Sequence, residues 1–218
     1  MPQIFGPSAN TIARVALVAI LIVPFALILL AYKVMGSPYI TGQNVTLRQP
    51  IPFSHKHHVG DDGIDCRYCH TSVERSAFAG LPPTTTCITC HSQLFTNAAM
   101  LAPVRQSLAQ HQPIHWQRVN RLPEYVYFDH SIHIAKGVGC TTCHGPVQTM
   151  PLMRQYAPLT MHWCLDCHRD PAPNLRPKSA VFSTQWTPPK DQLEQGQRLL
   201  AQYHIDTEHL TDCYRCHR

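Results

Sequence analysis

The stretch Cys66-Arg-Tyr-Cys69-His70 recurs in form four more times along this chain. The other copies are Cys87-Ile-Thr-Cys90-His91, Cys140-Thr-Thr-Cys143-His144, Cys164-Leu-Asp-Cys167-His168 and Cys213-Tyr-Arg-Cys216-His217. All 10 cysteines of the 218 residues are used in these five C-x-x-C-H units, and five of the 15 histidines follow them. C-x-x-C-H is the attachment signature of a c-type haem. Two thiols at this spacing form thioethers to one porphyrin, and the next residue falls beneath the iron as its proximal imidazole. The sequence therefore calls for five covalently attached c-type haems, with His70, His91, His144, His168 and His217 as proximal ligands. At about 37 exported residues per haem, the macrocycles themselves form much of the core, and each covalent link acts as a staple.

Two other uses of cysteine compete. The Cys69–Cys87 and Cys143–Cys164 spacings fall inside the window of about 15–20 residues expected between the C-x-x-C halves of a zinc ribbon. Zinc has no use for a histidine after every pair, and the fifth pair has no partner for a four-sulfur site. Five such histidines by independent placement have a chance of roughly two in a million. Disulfides are compatible with export but leave the same histidines unexplained.

A repeat selects sixth ligands. Phe53-Ser-His55-Lys-His-His58 precedes Cys66 much as Phe128-Asp-His130-Ser-Ile-His133 precedes Cys140. In a helical H-x-x-H the imidazoles share a face but reach different targets, one serving the nearest haem and the other a neighbour. His55, His58, His130 and His133 are thus the distal candidates, and His57 points off that face. For the fifth haem Met161 comes first, where a thioether raises the potential relative to two imidazoles. His162, Met150, Met153 and His115 follow; His204 and His209 lie near the last motif without support from the repeat.

Val15 to Tyr32 is an uncharged apolar run between Arg14 and Lys33, long enough as a helix to cross a hydrocarbon core of about 30 Å. Pro24 lies within it, which membrane helices tolerate. A cleaved signal peptide is the alternative, with Val34-Met35-Gly36 as a weak cleavage site, but the run exceeds the roughly 7–15 residues of a signal core. Haem c attachment occurs on the exported side, so the expected topology is a single-pass anchor in the cytoplasmic membrane. Its N-terminus lies inside, and the haem domain is periplasmic. The divisions are 1–35 for the anchor and 36–218 for the pentahaem domain. Within the latter come a di-haem unit at 53–91, a connector at 92–127, a second di-haem unit at 128–168, and a linker with the fifth haem at 169–218.

Charged residues make up 14% of the chain, below the roughly 25% of ordinary soluble domains. The 19 prolines and 8% aromatics disfavour a large helical bundle or an α/β enzyme core. The formal charge of +5 comes without a Lys/Arg run, so no nucleic-acid surface is indicated. No nucleotide, phosphate or hydrolase motif is present, and no residue is assigned a catalytic role. The fold class expected is a multihaem cytochrome c: little regular secondary structure, short helices around five haems, and one N-terminal transmembrane helix. Thr96 to Gln110 reads as a short helix broken near Pro103, and Pro171 to Lys190 as an extended wrapping linker. Asp191 with Glu194 reads as a capping box opening an amphipathic helix to about His204. Trp116, Trp163 and Trp186 read as packing residues.

The F-x-H-x-x-H…C-x-x-C-H units resemble those of the class III cytochromes, the c3 and c7 group. The fuller pattern, with Phe53 to His70, Pro82 to His91, Val119 to Gly145, Leu159 to Arg169 and the terminal Cys213 to Arg218, is similar to the pentahaem subunit of alternative complex III. That resemblance covers most of 50–170 and the last residues, with 171–210 weakly constrained. It departs at His162, where the family pattern has glycine, which weakens Met161 as a ligand. It implies a non-catalytic electron-transfer subunit of a respiratory or photosynthetic quinol:acceptor oxidoreductase. The implied neighbours are an iron–sulfur/molybdopterin-like subunit, polytopic quinol-binding subunits and a monohaem cytochrome. The implied acceptor is an external cytochrome c, a copper protein or an oxidase. The competing functions are a stand-alone membrane-anchored quinol dehydrogenase and a catalytic multihaem reductase; the second needs an open haem position.

Overall fold

A C-x-x-C-H run is well served by one turn of helix. Positions i, i+3 and i+4 share a helical face, so both thiols and the imidazole point the same way. The computed structural model, which describes residues 4–217, builds the motifs on this plan. The first occupies α3 (Cys66–Cys69), the second ends α4 (Thr84–His91), the third is α7 (Cys140–His144), and the fourth lies in α8 (Met161–Arg169). The fifth begins with a 3₁₀ turn at Cys213–Arg215. Residues 1–3 of the expected anchor region, and Arg218, lie outside the described residues.

The chain divides after Gly42. The first unit carries α1 (Ala9–Met35), which is apolar enough to cross a membrane: an 18-residue stretch of it has a mean hydropathy of 2.9, and none of its residues is buried. It is longer than the apolar run from Val15 to Tyr32. That run marks the part fit for hydrocarbon, whereas the helix itself continues until Gly36. At 1.5 Å per residue it spans about 40 Å, with Pro24 inside it costing one backbone hydrogen bond. A further turn, α2 (Pro38–Thr41), starts on proline and stops at Gly42, whose φ of 69° closes it.

The second unit, Gln43–Arg218, is mostly short helices. Among the described residues, strand-like pairing is confined to three isolated bridges: Thr46 with Arg154, Val126 with His217, and Val138 with Leu175. Local caps set several starts. Asp65 accepts from the Arg67 amide at α3, Asp129 from the Ser131 amide at α6 (His130–Ala135), and Thr160 from the Trp163 amide at α8.

Several sequence expectations are altered. Pro103 does not break a helix; it sits in the first turn of α5 (Ala102–Gln110), where its missing N–H costs nothing, after a 3₁₀ turn at Ala99–Leu101. The Asp191–Glu194 capping box does not form, because both carboxylates instead meet Arg198, at 3.5 and 2.6 Å. That helix, α9 (Gln192–Gln202), stops short of His204, which takes a positive φ of 51°. The 171–190 stretch is more than an extended linker. It forms 3₁₀ turns at Ala172–Asn174 and Lys178–Ala180 and contributes the buried Ala172, Leu175, Arg176 and Val181.

One apolar cluster of Leu175, Leu199 and Tyr203, flanked by Val138, Leu200 and Ile205, joins α9 to that stretch. The two backbones nearly touch at Gly196, where an added Cβ would lie 2.0 Å from the Ala172 carbonyl oxygen. Gly196→Ala is expected to destabilise this unit by about 1–3 kcal/mol, read as a lower Tm with an unchanged haem count.

Candidate haem-binding site

The two F-x-H-x-x-H segments fold onto their phenylalanines in the same way. Phe53 meets the His55 ring edge-on at 5.0 Å and stacks on His58 at 4.4 Å. Phe128 meets His130 edge-on at 4.8 Å and stacks on His133 at 4.5 Å. One aromatic shelf thus sets two imidazoles at a fixed angle. The backbones differ. His130 and His133 lie on α6, whereas His55 caps a π-helical turn at Lys56–Asp61, of a kind often found at functional positions. Gly60 permits that turn, since a Cβ there would approach the Gln148 carbonyl oxygen to 2.3 Å.

Imidazoles from the two kinds of motif face each other. The ring centroids of His58 and His91 are 6.3 Å apart, those of His130 and His144 6.3 Å, and those of His133 and His168 6.1 Å. Two imidazoles on opposite sides of one metal ion, with nitrogen–metal bonds of about 2.0–2.1 Å, have centroids roughly 6.3 Å apart. The donor set therefore fits an iron held between each pair. Each pair joins a C-x-x-C-H histidine to an H-x-x-H histidine, and the H-x-x-H of the second repeat faces two different motifs, His130 the third and His133 the fourth. His55 neighbours His70: burial first, then the His70 and His58 rings, hold its pKa down to about 4. Burial likewise lowers His133, and pushes His144 down to about 4. These rings are neutral near pH 7, the form that ligates a metal.

The ring nitrogens are sorted as metal ligation requires. Nδ1–H of His70 donates to the Gly80 carbonyl at 2.8 Å, His91 to Leu94 at 3.0 Å, and His168 to Leu210 at 3.0 Å. His217 donates to Tyr125 at 3.3 Å. Among the distal candidates, His58 donates to Ser54 at 2.9 Å, His130 to Ala77 at 2.8 Å, and His133 to Asp129 at 2.7 Å. His144 departs from this pattern: the Asn120 side-chain nitrogen, a donor, lies 3.2 Å from its Nδ1. A backbone partner on Nδ1 fixes the tautomer and leaves Nε2 for the metal. His55 differs, with a buried Nδ1 that has no hydrogen-bond partner.

The sulfurs show which motifs adjoin. The Cys66 thiol is held down to about 7, first by its hydrogen bond with Cys140, and the Cys140 thiol is raised by the same contact. Burial and then the Cys87 sulfur raise Cys69, while Tyr68 and Thr89 hydroxyls bond at 2.8 Å across the first and second motifs. Burial, then Cys167 and Cys164, push Cys143 up to about 12, and burial followed by Cys216 raises Cys164. These contacts link the second motif to the first, the first to the third, the third to the fourth and the fourth to the fifth. All ten cysteines are free of disulfides. Among the described residues no ligand group joins two C-x-x-C pairs as zinc would demand; the group of that size found is the exposed Asp206, Glu208 and His209.

Residues 126–218 match the family described as cytochrome c7 and related cytochrome c. This part of the chain is a cytochrome c7-like multihaem domain. The chain is also 38% identical over 97 residues to the menaquinone reductase, multiheme cytochrome c subunit, of Nitratidesulfovibrio vulgaris. That match covers 44% of this chain and 45% of the relative, so the chain spans about half the length of the curated relative at the matched stretch. The likeness to that family supports covalently bound c-type haem and electron transport within residues 126–218.

Among the described residues neither the first nor the fifth motif shows a comparable ring pair: His70 is a neighbour of His55 through its charge, and His217 lies 5.8 Å from the Tyr125 ring. Met161 is 63% exposed on the first turn of α8, one turn before Cys164. Met150 is fully buried. His162 pairs with Asp166 at 3.3 Å, His209 with Asp212 at 3.2 Å, and His57 with Asp61 and Asp62 at 3.8 and 3.5 Å. Sequence reasoning missed the shelves Phe53 and Phe128 as orienting groups, although both stood in the repeat. It also missed Asn120, which no motif marks.

Proposed function

We propose that this chain is a membrane-anchored pentahaem cytochrome c that relays electrons between quinol chemistry and a periplasmic redox partner, as a subunit of an alternative-complex-III-type assembly. The observation that carries the proposal is the set of facing imidazole pairs at 6.1–6.3 Å, each joining a C-x-x-C-H to an H-x-x-H. Bound c-type haems supply one-electron storage and transfer. Cys66, Cys69, Cys87, Cys90, Cys140, Cys143, Cys164, Cys167, Cys213 and Cys216 attach them. His70, His91, His144, His168 and His217 are the proximal ligands, opposed by His55, His58, His130, His133 and Met161. Met161 is favoured by its place one helical turn from Cys164, the sulfur that neighbours Cys216.

At three motifs a pair of imidazoles would hold the haem iron, and the bound haem would supply one-electron transfer, which suits a relay rather than substrate chemistry. Carbonyl-anchored Nδ1 groups would hold these rings in place around a bound haem. The contiguous motifs, second to fifth through the first and third, give the relay its continuity. The helix α1 anchors the chain with its N-terminus inside, which leaves the cytochrome domain on the exported side. The neighbours proposed are the iron–sulfur/molybdopterin-like subunit, the polytopic quinol-binding subunits and a monohaem cytochrome, with an external cytochrome c, copper protein or oxidase beyond.

The name of the Nitratidesulfovibrio relative favours a second reading in which electrons run the opposite way, into menaquinone. Intact mass with haem quantitation tests the common part: five haems per chain are expected, and any other number defeats it. Membranes containing the full complex then decide direction. Quinol reducing the haems faster than reduced haems are oxidised by quinone supports oxidation of quinol, and the reverse supports the second reading.

A further inference from the structure

Arg176 is a buried cation beside the third C-x-x-C-H. Its side chain lies under the 171–190 stretch and the residue is 3% exposed. Nη2 donates to the Thr141 hydroxyl at 3.0 Å and the Thr142 hydroxyl at 3.2 Å, the two spacer residues of the third C-x-x-C-H. Nη1 donates to the Ala180 and Ser183 carbonyls, both at 3.4 Å, and the guanidinium lies 4.3 Å from the centre of the Trp186 ring. Nε is buried with no hydrogen-bond partner. None of the ion pairs found among the described residues includes Arg176.

The backbone makes room for this group. A Cβ on Gly139, the residue before Cys140, would lie 2.0 Å from the guanidinium carbon. Glycine at that position therefore lets a charged side chain occupy space beside the motif. Burial lowers the Arg176 pKa, yet a guanidinium stays charged at any physiological pH. Burying such a charge is costly, and the hydroxyls, carbonyls and aromatic face around it offset part of that cost. Once Cys140 and Cys143 are thioethers they carry no charge to neutralise it.

We propose that Arg176 is a potential-setting residue: a fixed positive charge that raises the reduction potential at the third motif, the junction between the first and fourth. Reduction adds one electron to the attached haem, and a neighbouring cation stabilises that added negative charge. One unit charge at an effective dielectric of about 20 shifts such an equilibrium on the order of tenfold at the separations between a motif and its haem. The junction is then a place where an electron rests, drawing it across from the first pair of motifs to the second. This inference rests on haem attachment at the third motif, as proposed above.

The test uses the full chain with its haems, counted by intact mass before any titration. Arg176→Gln should leave the haem count unchanged and lower one midpoint potential by about 59 mV, a tenfold shift for one electron. Arg176→Lys should keep most of that potential while losing Tm, because the charge remains and the bidentate and stacked contacts do not. An Arg176→Gln protein whose midpoints all move by less than twofold in equilibrium overturns the inference, as does a Lys variant that shifts potential as far as Gln. If Arg176→Gln fails to assemble, Thr142→Asp places a carboxylate against the same guanidinium. It should lower the same midpoint comparably, and an unchanged midpoint there overturns the proposal. A chain that holds no haem at the third motif to begin with defeats the function proposed above instead.

Discussion

Cys140→Ala combined with Cys143→Ala is expected to split the remaining haems into two unconnected pairs. Mass spectrometry should show one haem fewer, and the Soret absorbance should fall by about a fifth. The kinetic effect is larger and more specific. The third motif touches the first through the Cys66–Cys140 contact and the fourth through Cys143, Cys164 and Cys167. The second motif adjoins the first, and the fifth adjoins the fourth. With the junction gone, a quinol-linked donor should rapidly reduce only two of the four haems left. The other two should slow by about a hundredfold, corresponding to roughly 3 kcal/mol of added barrier. Removing a motif at either end, through Cys87 and Cys90 or Cys213 and Cys216, never divides the survivors in this way. Stopped-flow reduction resolved into haem equivalents reads the difference. Four haems reduced in one phase after loss of the third motif would show that the spatial order derived from the sulfurs is wrong.

The parts legible in the sequence are those in which spacing alone carries the chemistry. C-x-x-C-H needs its three ligating groups on one face, and a single helical turn supplies that without help from distant residues. The repeated F-x-H-x-x-H could be seen for the same reason, and the structure pairs His58, His130 and His133 with histidines of three different C-x-x-C-H motifs. The groups that orient those rings were not legible. Gly80, Leu94, Leu210, Tyr125 and Ala77 act through backbone carbonyls, which every residue possesses, so their side chains give no signal. The adjacency of the first and third motifs depends on how two distant segments pack. Arg176 had the same difficulty: in the sequence it is one arginine in a proline-rich stretch, and only burial beside Gly139 gives its charge a role. The capping-box error is of a related kind. Asp191 and Glu194 have the right spacing, but Arg198 one turn later competes successfully for both carboxylates.

His133→Ala is expected to open one axial position and convert a closed haem into one that binds an external ligand. His133 faces His168 at 6.1 Å between ring centroids, is stacked on Phe128, and donates Nδ1–H to the Asp129 carbonyl. Loss of the imidazole removes the distal donor, and among the described residues no other His ring faces His168 across that gap. His130, on the same helix, is already committed to His144 and anchored to Ala77. Carbon monoxide titration of the reduced protein should therefore count one more binding haem per chain than the unaltered protein. The oxidised spectrum should gain one high-spin component, and that haem's midpoint should change because the axial ligand is one of its main determinants. His57→Ala is the matched control: its ring faces Asp61 and Asp62 and should alter neither measurement. The comparison also weighs relay against catalysis. A relay gains ligand binding only when a distal imidazole is removed, whereas a multihaem reductase already has an open haem before any substitution. If His133→Ala left both the carbon monoxide count and the spin state unchanged, His133 would not be the group opposite His168. The H-x-x-H assignment in the second repeat would then fall with it.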